Sequence, residues 1–248
     1  MIIRAIKGPL AAPVSKRSIL FDASTSDHCV ITDAAQTGLD LGSDFTIMGW
    51  AYFNTLPAEG DQEEMTSKWL NPGNDRNWLL PNFRRLSGTQ VVEAVVQTAS
   101  NNIRIERVTW TLSTGVWRHV AVCNDASQSG SADQRFRFVL DGVDQGVSTI
   151  AANGTGVNQR TGAADVHINS FTALSALSFV DGFFDEVAFF DAALSEATIN
   201  SLKDAVIPDA TSNFLCAWSW DGDSLTSHGP HTNLLTNNGG AFDANVPI

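Results

Sequence analysis

The sequence predicts an all-β fold, either a sandwich of two antiparallel sheets or a jelly roll, and three observations carry this prediction. Strand-like runs recur along the chain, turns rich in Gly and Asn separate them, and only one segment has the pattern of a helix. At 248 residues the chain fits one all-β domain or two small ones. A hydrophobic content of 43% is sufficient for a large core.

Strand signals run along most of the chain. Alternating or continuous apolar runs lie at 45–53, 91–98, 103–108, 117–123, 135–140 and 183–190. The first run, FTIMGWAYF, is apolar on both alternating faces, which is typical of a strand covered on both sides. The turn sequence SNN between the second and third runs predicts a hairpin. Asp141-Gly142 after RFRFVL predicts a second hairpin, because a type I′ turn needs positive φ at both central residues.

One helix is predicted near residues 195–204. In the segment LSEATINSLKDA, Ser195 can cap the N-terminus, and Leu194, Ile199 and Leu202 recur at near-helical spacing. Pro208 ends the region because it cannot continue a helix.

The composition limits the classes of function. A formal net charge of −12 argues against a nucleic-acid surface, which needs clustered Lys and Arg. No stretch approaches the ~20 apolar residues of a membrane span, and no secretory signal pattern follows the early charges. Cys29, Cys123 and Cys216 are odd in number, far apart and beside apolar residues. This predicts buried thiols from a reducing cytosol, not a disulfide framework.

The first 17 residues, MIIRAIKGPLAAPVSKR, contain basic residues and no acidic ones. Arg4, Lys7, Lys16 and Arg17 lie among prolines that disfavour a helix, so we expect an extended basic arm over residues 1–17. Two interpretations remain open. The arm is either a terminus that lies on the surface or a docking segment that reaches an acidic neighbouring subunit.

Seven motifs occur in a fixed order along the chain. They are SILFDASTSDHCVI (18–31), DFTIMGWAYF (44–53), SKW (67–69), WRHVAV (117–122), FRFVLDGVDQG (136–146), GFFDEVAFFDAALSEATINSL (182–202) and AWSWDGD (217–223). Together they resemble the laminin-G-like jelly-roll families of the concanavalin A-like lectin and glucanase superfamily, over residues 18–205. Each motif is weak alone, but the ordered set is specific.

The resemblance implies two antiparallel sheets packed face to face, with loops at the rims and one concave face. We therefore expect a single jelly-roll domain over residues 18–248. Residues 209–248 resemble the edge element that often accompanies these domains, so they are expected to close the sandwich beside the first strand. Function does not follow from this fold, which includes lectins, glycosidases, lyases, adhesins and virion proteins.

The strand FFDEVAFF holds two adjacent carboxylates where the glucanase branch carries its catalytic pair. A retaining pair needs both carboxylates on one side of the strand, ~5 Å apart. Regular alternation places Asp185 and Glu186 on opposite faces, and likewise Phe184 and Val187. The inward carboxylate should be satisfied by backbone amides or by Arg or Lys. We predict no catalytic residues and interpret the stretch as a fold signature.

A single structural Ca²⁺ is the one cofactor that the sequence leaves open. The resemblance implies rim sites built from Asp, Asn and carbonyl oxygens, and Asp22 and Asp27 are the candidate ligands here. The alternative is that both residues cap turns.

A sugar site needs aromatic platforms beside polar side chains. Trp69, Asn71, Asn74, Arg76 and Trp78 lie in or beside a segment rich in Gly, Pro and Asn, and they are the candidates. The alternative is that the tryptophans belong to the core.

These observations favour a non-catalytic structural or binding module. The first hypothesis is a virion protein, such as a phage capsid decoration, fibre or tail component, because Met1 starts a chain without an export signal and a basic arm precedes an acidic body. It would be made in the host cytoplasm, with capsid or tail proteins or its own copies as partners, and possible contact with a surface glycan. The alternative is a carbohydrate-binding or adhesion module of a larger secreted bacterial protein. A glycan hydrolase or lyase is the third hypothesis.

Overall fold

Two antiparallel sheets stack face to face in this chain. The computed structural model describes residues 17–70, 75–98, 102–125, 127, 135–146, 148–152, 162–170, 179–205 and 207–247. Its strands form an eight-stranded sheet, sheet I, and a nine-stranded sheet, sheet II. The predicted two-sheet sandwich is therefore confirmed.

Strands are numbered in chain order through both sheets. Sheet I contains β1 (Ser18–Phe21), β3 (Phe45–Phe53), β9 (Trp117–Asn124), β10 (Phe136–Leu140), β11 (Val143–Asp144), β14 (Gly182–Phe190), β15 (Phe214–Trp218) and β17 (Ala241–Asp243). Their order is β11-β10-β9-β3-β14-β1-β17, and β15 also pairs with β14.

Sheet II contains the remaining strands. They are β2 (His28–Ile31), β4 (Gln62–Glu64), β5 (Thr66–Leu70), β6 (Asp75–Leu86), β7 (Thr89–Gln97), β8 (Ile103–Thr109), β12 (Thr149–Ala152), β13 (Val166–Ile168) and β16 (Thr236–Asn238). Their order is β12-β8-β7-β6-β5-β13-β2-β16, and β4 also pairs with β6. β7 and β8 pair antiparallel, which confirms the hairpin predicted around the SNN turn.

The main core fills the space between the sheets. Phe45, Ile47, Ala51 and Phe53 alternate from β3 into this space, where they are fully buried. Met48 points to the opposite face of sheet I and joins a second apolar cluster there. Burial of both faces explains the continuous apolar pattern of FTIMGWAYF, because removing apolar surface from water is favourable on either side of the sheet.

The second cluster lies beneath α1 (Glu196–Leu202) on the outer face of sheet I. Ser195 caps this helix, since its hydroxyl accepts a 3.1 Å hydrogen bond from the Thr198 amide. Ile199 is fully buried against Cys123 and Phe190 in the cluster. The predicted helix is confirmed.

The hairpin between β10 and β11 turns at Asp141 and Gly142. Their φ angles are 50° and 82°, as a type I′ turn requires, and Leu140 pairs with Val143 across the turn. Asn200 of α1 donates a 2.7 Å hydrogen bond from its amide to the Gly142 carbonyl. The predicted hairpin is confirmed, and it is attached to the helix.

A β-bulge interrupts β14 at the two adjacent carboxylates. Asp185 pairs with Trp50, whereas Ala188 pairs with Met48, so the two residues between them face Gly49 alone. Glu186 has a φ of 51°, and the bulge turns Phe184 and Val187 to the same main core. The prediction of opposite faces for Phe184 and Val187 was wrong, because it assumed unbroken alternation.

The last strands lie at the edges of both sheets beside the first strands. β16 pairs with β2 in sheet II, and β17 pairs with β1 in sheet I. Among the described residues no helix is long and apolar enough to cross a membrane. Cys29, Cys123 and Cys216 are buried free thiols, as predicted.

Candidate functional site

The outer face of sheet II, the face turned away from sheet I, carries an unusual set of polar side chains. In β7, Val92, Ala94 and Val96 point into the main core. Strand alternation therefore places Glu93 and Val95 on the outer face. The same alternation shows which side chains of each neighbouring strand lie on the outer face.

Four side chains lie in one line across the outer face and are called the polar row: Glu64, Asn82, Glu93 and Arg107. Glu64 of β4 pairs with Asn82 of β6, which pairs with Glu93 of β7, which pairs with Arg107 of β8. Directly opposed side chains in a sheet lie within contact distance. The register between neighbouring strands thus places two carboxyl groups and a guanidinium group in one line.

Two arginines hold the Glu93 carboxylate. Arg107 Nη2 lies 2.8 Å from Glu93 Oε1, and Arg84 Nη1 lies 3.2 Å from Glu93 Oε2. Asn82 Nδ2 donates a 3.4 Å hydrogen bond to Glu93 Oε2. Glu93 is fully buried, so these partners offset the high free energy of a buried charge.

Glu64 is in a different environment at the other end of the polar row. Burial, and then the negative charges of Glu63 and Glu93, raise the pKa of Glu64 well above its usual value. Within the part of the chain that the structure describes, neither oxygen of Glu64 has a hydrogen-bond partner. This favours the neutral form of Glu64, beside an ion-paired Glu93.

Glu64 and Glu93 form a carboxyl pair that sequence reasoning missed. A catalytic pair within one strand can be recognised from sequence spacing, whereas Glu64 and Glu93 belong to two strands that lie on either side of β6. Their shared face and unequal environments are the features that acid–base pairs use. Both side chains are fully buried, however, so neither carboxyl group meets a substrate in this conformation.

An apolar patch borders the polar row on the same face. Trp69, Leu79 and Val95 are buried together, and the half-buried Ile103 and Ile105 pack against them. Trp69 is 6% exposed and Trp78 is 1% exposed, and Trp78 lies in the main core against Phe189.

The two predicted tryptophan platforms therefore need correction. Trp78 is a core residue, because β6 turns its ring toward sheet I. Trp69 is buried within the apolar patch, so its ring does not present an open face for a sugar to stack on. Asn71 and Asn74 lie outside the described residues. Arg76 belongs to β6, but its side chain is outside the described part of the structure.

The candidate calcium ligands cap a turn. Asp22 Oδ1 accepts hydrogen bonds from the Ser24 amide at 2.8 Å and the Ser24 hydroxyl at 2.6 Å, and these bonds lower the Asp22 pKa. Asp27 accepts a 2.6 Å hydrogen bond from the Thr25 hydroxyl and a 3.1 Å bond from the Asp22 amide. Within the described residues, no three His, Cys, Asp or Glu side chains are placed to hold one metal ion.

Arg17 of the predicted docking set binds within its own chain. Its amide donates a 3.0 Å hydrogen bond to Asp221, and its side chain lies 3.5 Å from Asp223. Arg17 therefore anchors the start of the described chain, and its predicted docking role stays a prediction. Arg4, Lys7 and Lys16 lie outside the described residues.

An aromatic cluster on the outer face of sheet I was also missed. The rings of Tyr52, Trp117 and Phe183 lie 5.4 to 6.2 Å apart, and Trp117 Nε1 donates a 3.2 Å hydrogen bond to Asn245. Tyr52 and Trp117 are half-buried. All three residues lie in predicted strands, but only the strand register reveals that their rings are neighbours.

The Laminin_G_3 family, described as concanavalin A-like lectin/glucanases superfamily, matches residues 23–200. The chain belongs to this family. The match confirms the resemblance of the ordered motifs, and the laminin-G-like jelly roll accounts for both sheets. No curated protein matches the chain in sequence.

Solved structures share the fold at low sequence identity. A proposed carbohydrate-binding protein from Bacteroides ovatus has a TM-score of 0.56 and 13% identity, over 92% of this chain and 59% of that chain. A heptameric SAP-like pentraxin from Limulus polyphemus has a TM-score of 0.57 and 12% identity, over 90% and 97%. The enzymatically active domain of Bacteriophage CBA120 tailspike protein 2 has a TM-score of 0.50 and 10% identity, over 87% and 34%.

Proposed function

We propose that this laminin-G-like chain is a non-catalytic module that binds a surface glycan on the outer face of sheet II. One observation carries the proposal. The polar row and Arg84 lie directly beside the apolar patch, and sugar sites combine fixed polar groups with apolar surface in this way. The carbohydrate-binding role proposed for the Bacteroides ovatus neighbour is consistent with it.

Burial of the carboxyl pair supports the non-catalytic part of the proposal. A glycosidase needs one carboxyl group on each side of the scissile bond, within reach of the sugar. Glu64 and Glu93 are both fully buried, and the Glu93 carboxylate forms ion pairs with Arg84 and Arg107. Asp185 is buried in the bulge of sheet I, away from the polar row.

The proposed setting is a virion, in which the chain would serve as a capsid decoration, fibre or tail component. Its three buried free thiols suit a protein made in a reducing host cytoplasm. Capsid or tail proteins or further copies of the chain would be the protein partners. A module of a larger secreted or cell-surface protein is the alternative setting, and the glycan-binding face would serve it equally.

A glycan array probed with the full chain tests the binding function. We expect a consistent set of glycans to bind, and Ile105→Ser to weaken binding at least tenfold because Ile105 forms the half-buried border of the apolar patch. Val143→Ser is the matched control, since Val143 is 59% exposed on a strand of sheet I. It should leave binding unchanged.

Three results would contradict this proposal. Absence of binding to every glycan removes the function itself. Loss of binding in Trp117→Ala but not in Ile105→Ser moves the site to the aromatic cluster of sheet I. Release of reducing ends from any polysaccharide, abolished by Glu64→Gln or Glu93→Gln, makes the carboxyl pair catalytic. Melting temperatures of all variants separate loss of binding from loss of fold.

A further inference from the structure

One buried carboxylate orients two arginines on the outer face of sheet II. Glu93 faces Arg107 across β7 and β8, and Arg84 reaches the same carboxylate from β6. The side chains of Arg84 and Arg107 are 18% and 27% exposed, whereas Glu93 is fully buried. Both guanidinium groups are thus held from below, and part of each arginine side chain remains open to solvent.

Most donors of these arginines are unused. A guanidinium group has five N–H donors, and Glu93 engages one terminal nitrogen of Arg84 and one of Arg107. Nε of each arginine is buried and has no hydrogen-bond partner among the described residues, so the terminal nitrogens are the donors left for a ligand. The face therefore presents two positioned groups that still need acceptors, which costs free energy unless a water molecule or a ligand supplies them.

The local charge is opposite to that of the whole chain. Arg84 and Arg107 together outweigh the single Glu93 carboxylate, and burial favours the neutral form of Glu64. The whole chain has a formal net charge of −12. A polyanion would be repelled by this acidic body, whereas one anionic group can reach the cationic spot.

The apolar patch continues directly from the arginines along β7 and β8. Val95 follows Glu93 by one alternation, and Ile105 precedes Arg107 by one, on the same face. A ligand that spans both features has an anionic group at one end and an apolar face at the other. A sugar ring that carries a carboxylate has this shape and chemistry.

We propose that Arg84 and Arg107 form a subsite for the carboxylate of an acidic saccharide, and that the ring packs toward Ile105. The planar fork of arginine matches a carboxylate with two parallel hydrogen bonds, which a lysine ammonium cannot reproduce. This inference rests on the proposed glycan-binding function and specifies its ligand class. Glu93 is a positioning residue, because it touches the arginines and not the ligand.

Titration calorimetry with the full chain tests the subsite. The probes are a galacturonic acid trisaccharide, a sialic-acid-terminated trisaccharide, a sulfated carrageenan oligosaccharide, which has no carboxylate, and the methyl ester of the first. We expect at least one carboxylate probe to bind and the ester to bind at least tenfold more weakly. Arg84→Lys and Arg107→Lys should each weaken carboxylate binding about tenfold, since each keeps the charge and loses the fork.

Arg85→Lys is the matched control. Arg85 is the next residue of β6, is 48% exposed and lies 4.0 Å from Glu59, away from the polar row. The same substitution there should leave affinity unchanged. Melting temperatures near that of the unsubstituted chain verify that Arg84→Lys and Arg107→Lys remain folded, because a lysine can retain the ion pair with Glu93.

The outcomes separate the inference from the proposed function. Equal binding of the ester and the acid, or binding unaffected by Arg84→Lys and Arg107→Lys, overturns the acidic subsite and leaves glycan binding intact. Binding of the sulfated probe alone overturns the carboxylate assignment. Equal loss in Arg85→Lys shows that the effect is not specific to the two arginines held by Glu93, and it also overturns the subsite. Failure of every acidic and neutral glycan overturns the proposed function as well.

Discussion

Individual buried carboxyl groups shape the electrostatics of this chain. Glu63 is buried at the rim between the sheets, and no described residue forms a hydrogen bond with its Oε2. Burial, and then the charges of Asp61 and Asp181, raise the pKa of Glu63 from 4.5 to about 8. Glu64 on the opposite side of β4 has a pKa raised in the same direction. The folded chain therefore retains protons that the unfolded chain releases.

Glu63→Gln should make the protein more stable in neutral and alkaline solution. Between pH 4.5 and 8 the unfolded state loses the Glu63 proton while the folded state keeps it, so stability falls as pH rises. Removing this group should raise the free energy of unfolding by about 3 kcal/mol at pH 7 and by nothing below pH 4. Urea denaturation from pH 4 to pH 8.5 measures the difference.

Glu59→Gln provides a control of opposite sign. Amide hydrogen bonds from Gly88 and Ser87 lower the pKa of Glu59, so its stabilising contribution is present at neutral pH and is lost in acid. Equal pH profiles for Glu63→Gln and the unsubstituted chain would contradict the burial argument.

Among the secondary-structure elements, a short turn determines how one edge of sheet I connects to the helix. The hairpin at Asp141-Gly142 meets α1 through Asn200, which attaches the β10–β11 edge of sheet I to the helix that covers it. A Cβ atom at Gly142 would collide with Asn200 Oδ1. Gly142 is required both for its positive φ and for this close approach.

Gly142→Ala should therefore lower the free energy of unfolding by more than backbone strain alone would. Gly88 has a φ of 80°, close to the 82° of Gly142, but a Cβ atom there meets nothing within 4 Å. We expect Gly88→Ala to lower the free energy of unfolding by about 1 kcal/mol and Gly142→Ala by about 2–3 kcal/mol. Thermal or urea unfolding compares them. Equal losses would show that the contact with Asn200 adds nothing.

In the molecule as a whole, the first and last described strands pair with each other. β1 pairs with β17, and Arg17 binds Asp221 and Asp223 immediately before β1 begins. The residues before Arg17 carry Arg4, Lys7 and Lys16, the remaining members of the predicted docking set. The start of the described chain is thus fixed by its own domain, and the predicted docking role can be tested on the segment that precedes it.

In the proposed virion setting, deletion of residues 1–16 should abolish docking and leave the domain folded, because Arg17 and its aspartate partners remain. Mass spectrometry of purified particles measures incorporation of the full and shortened chains. Full-length Arg4→Gln/Lys7→Gln/Lys16→Gln is the matched variant and should also fail to dock, since charge complementarity with an acidic neighbour is lost. Normal incorporation of the shortened chain would rule out the arm. Absence of the protein from particles would favour the secreted alternative.

The sequence by itself determined the features that depend on local pattern. Alternation predicted the strands, Asp141-Gly142 predicted its turn and Ser195 predicted the helix start, because the physical cause of each lies within a few residues. The ordered motifs likewise predicted the family. Tertiary structure alone decided which side chains meet. A bulge determined which residues around Glu186 face the core, and packing between the sheets made Trp78 a core residue and not part of a sugar site. Cross-strand register placed Glu64 and Glu93 on either side of Asn82 in one row. These outcomes depend on how strands pair, which no single stretch of sequence specifies.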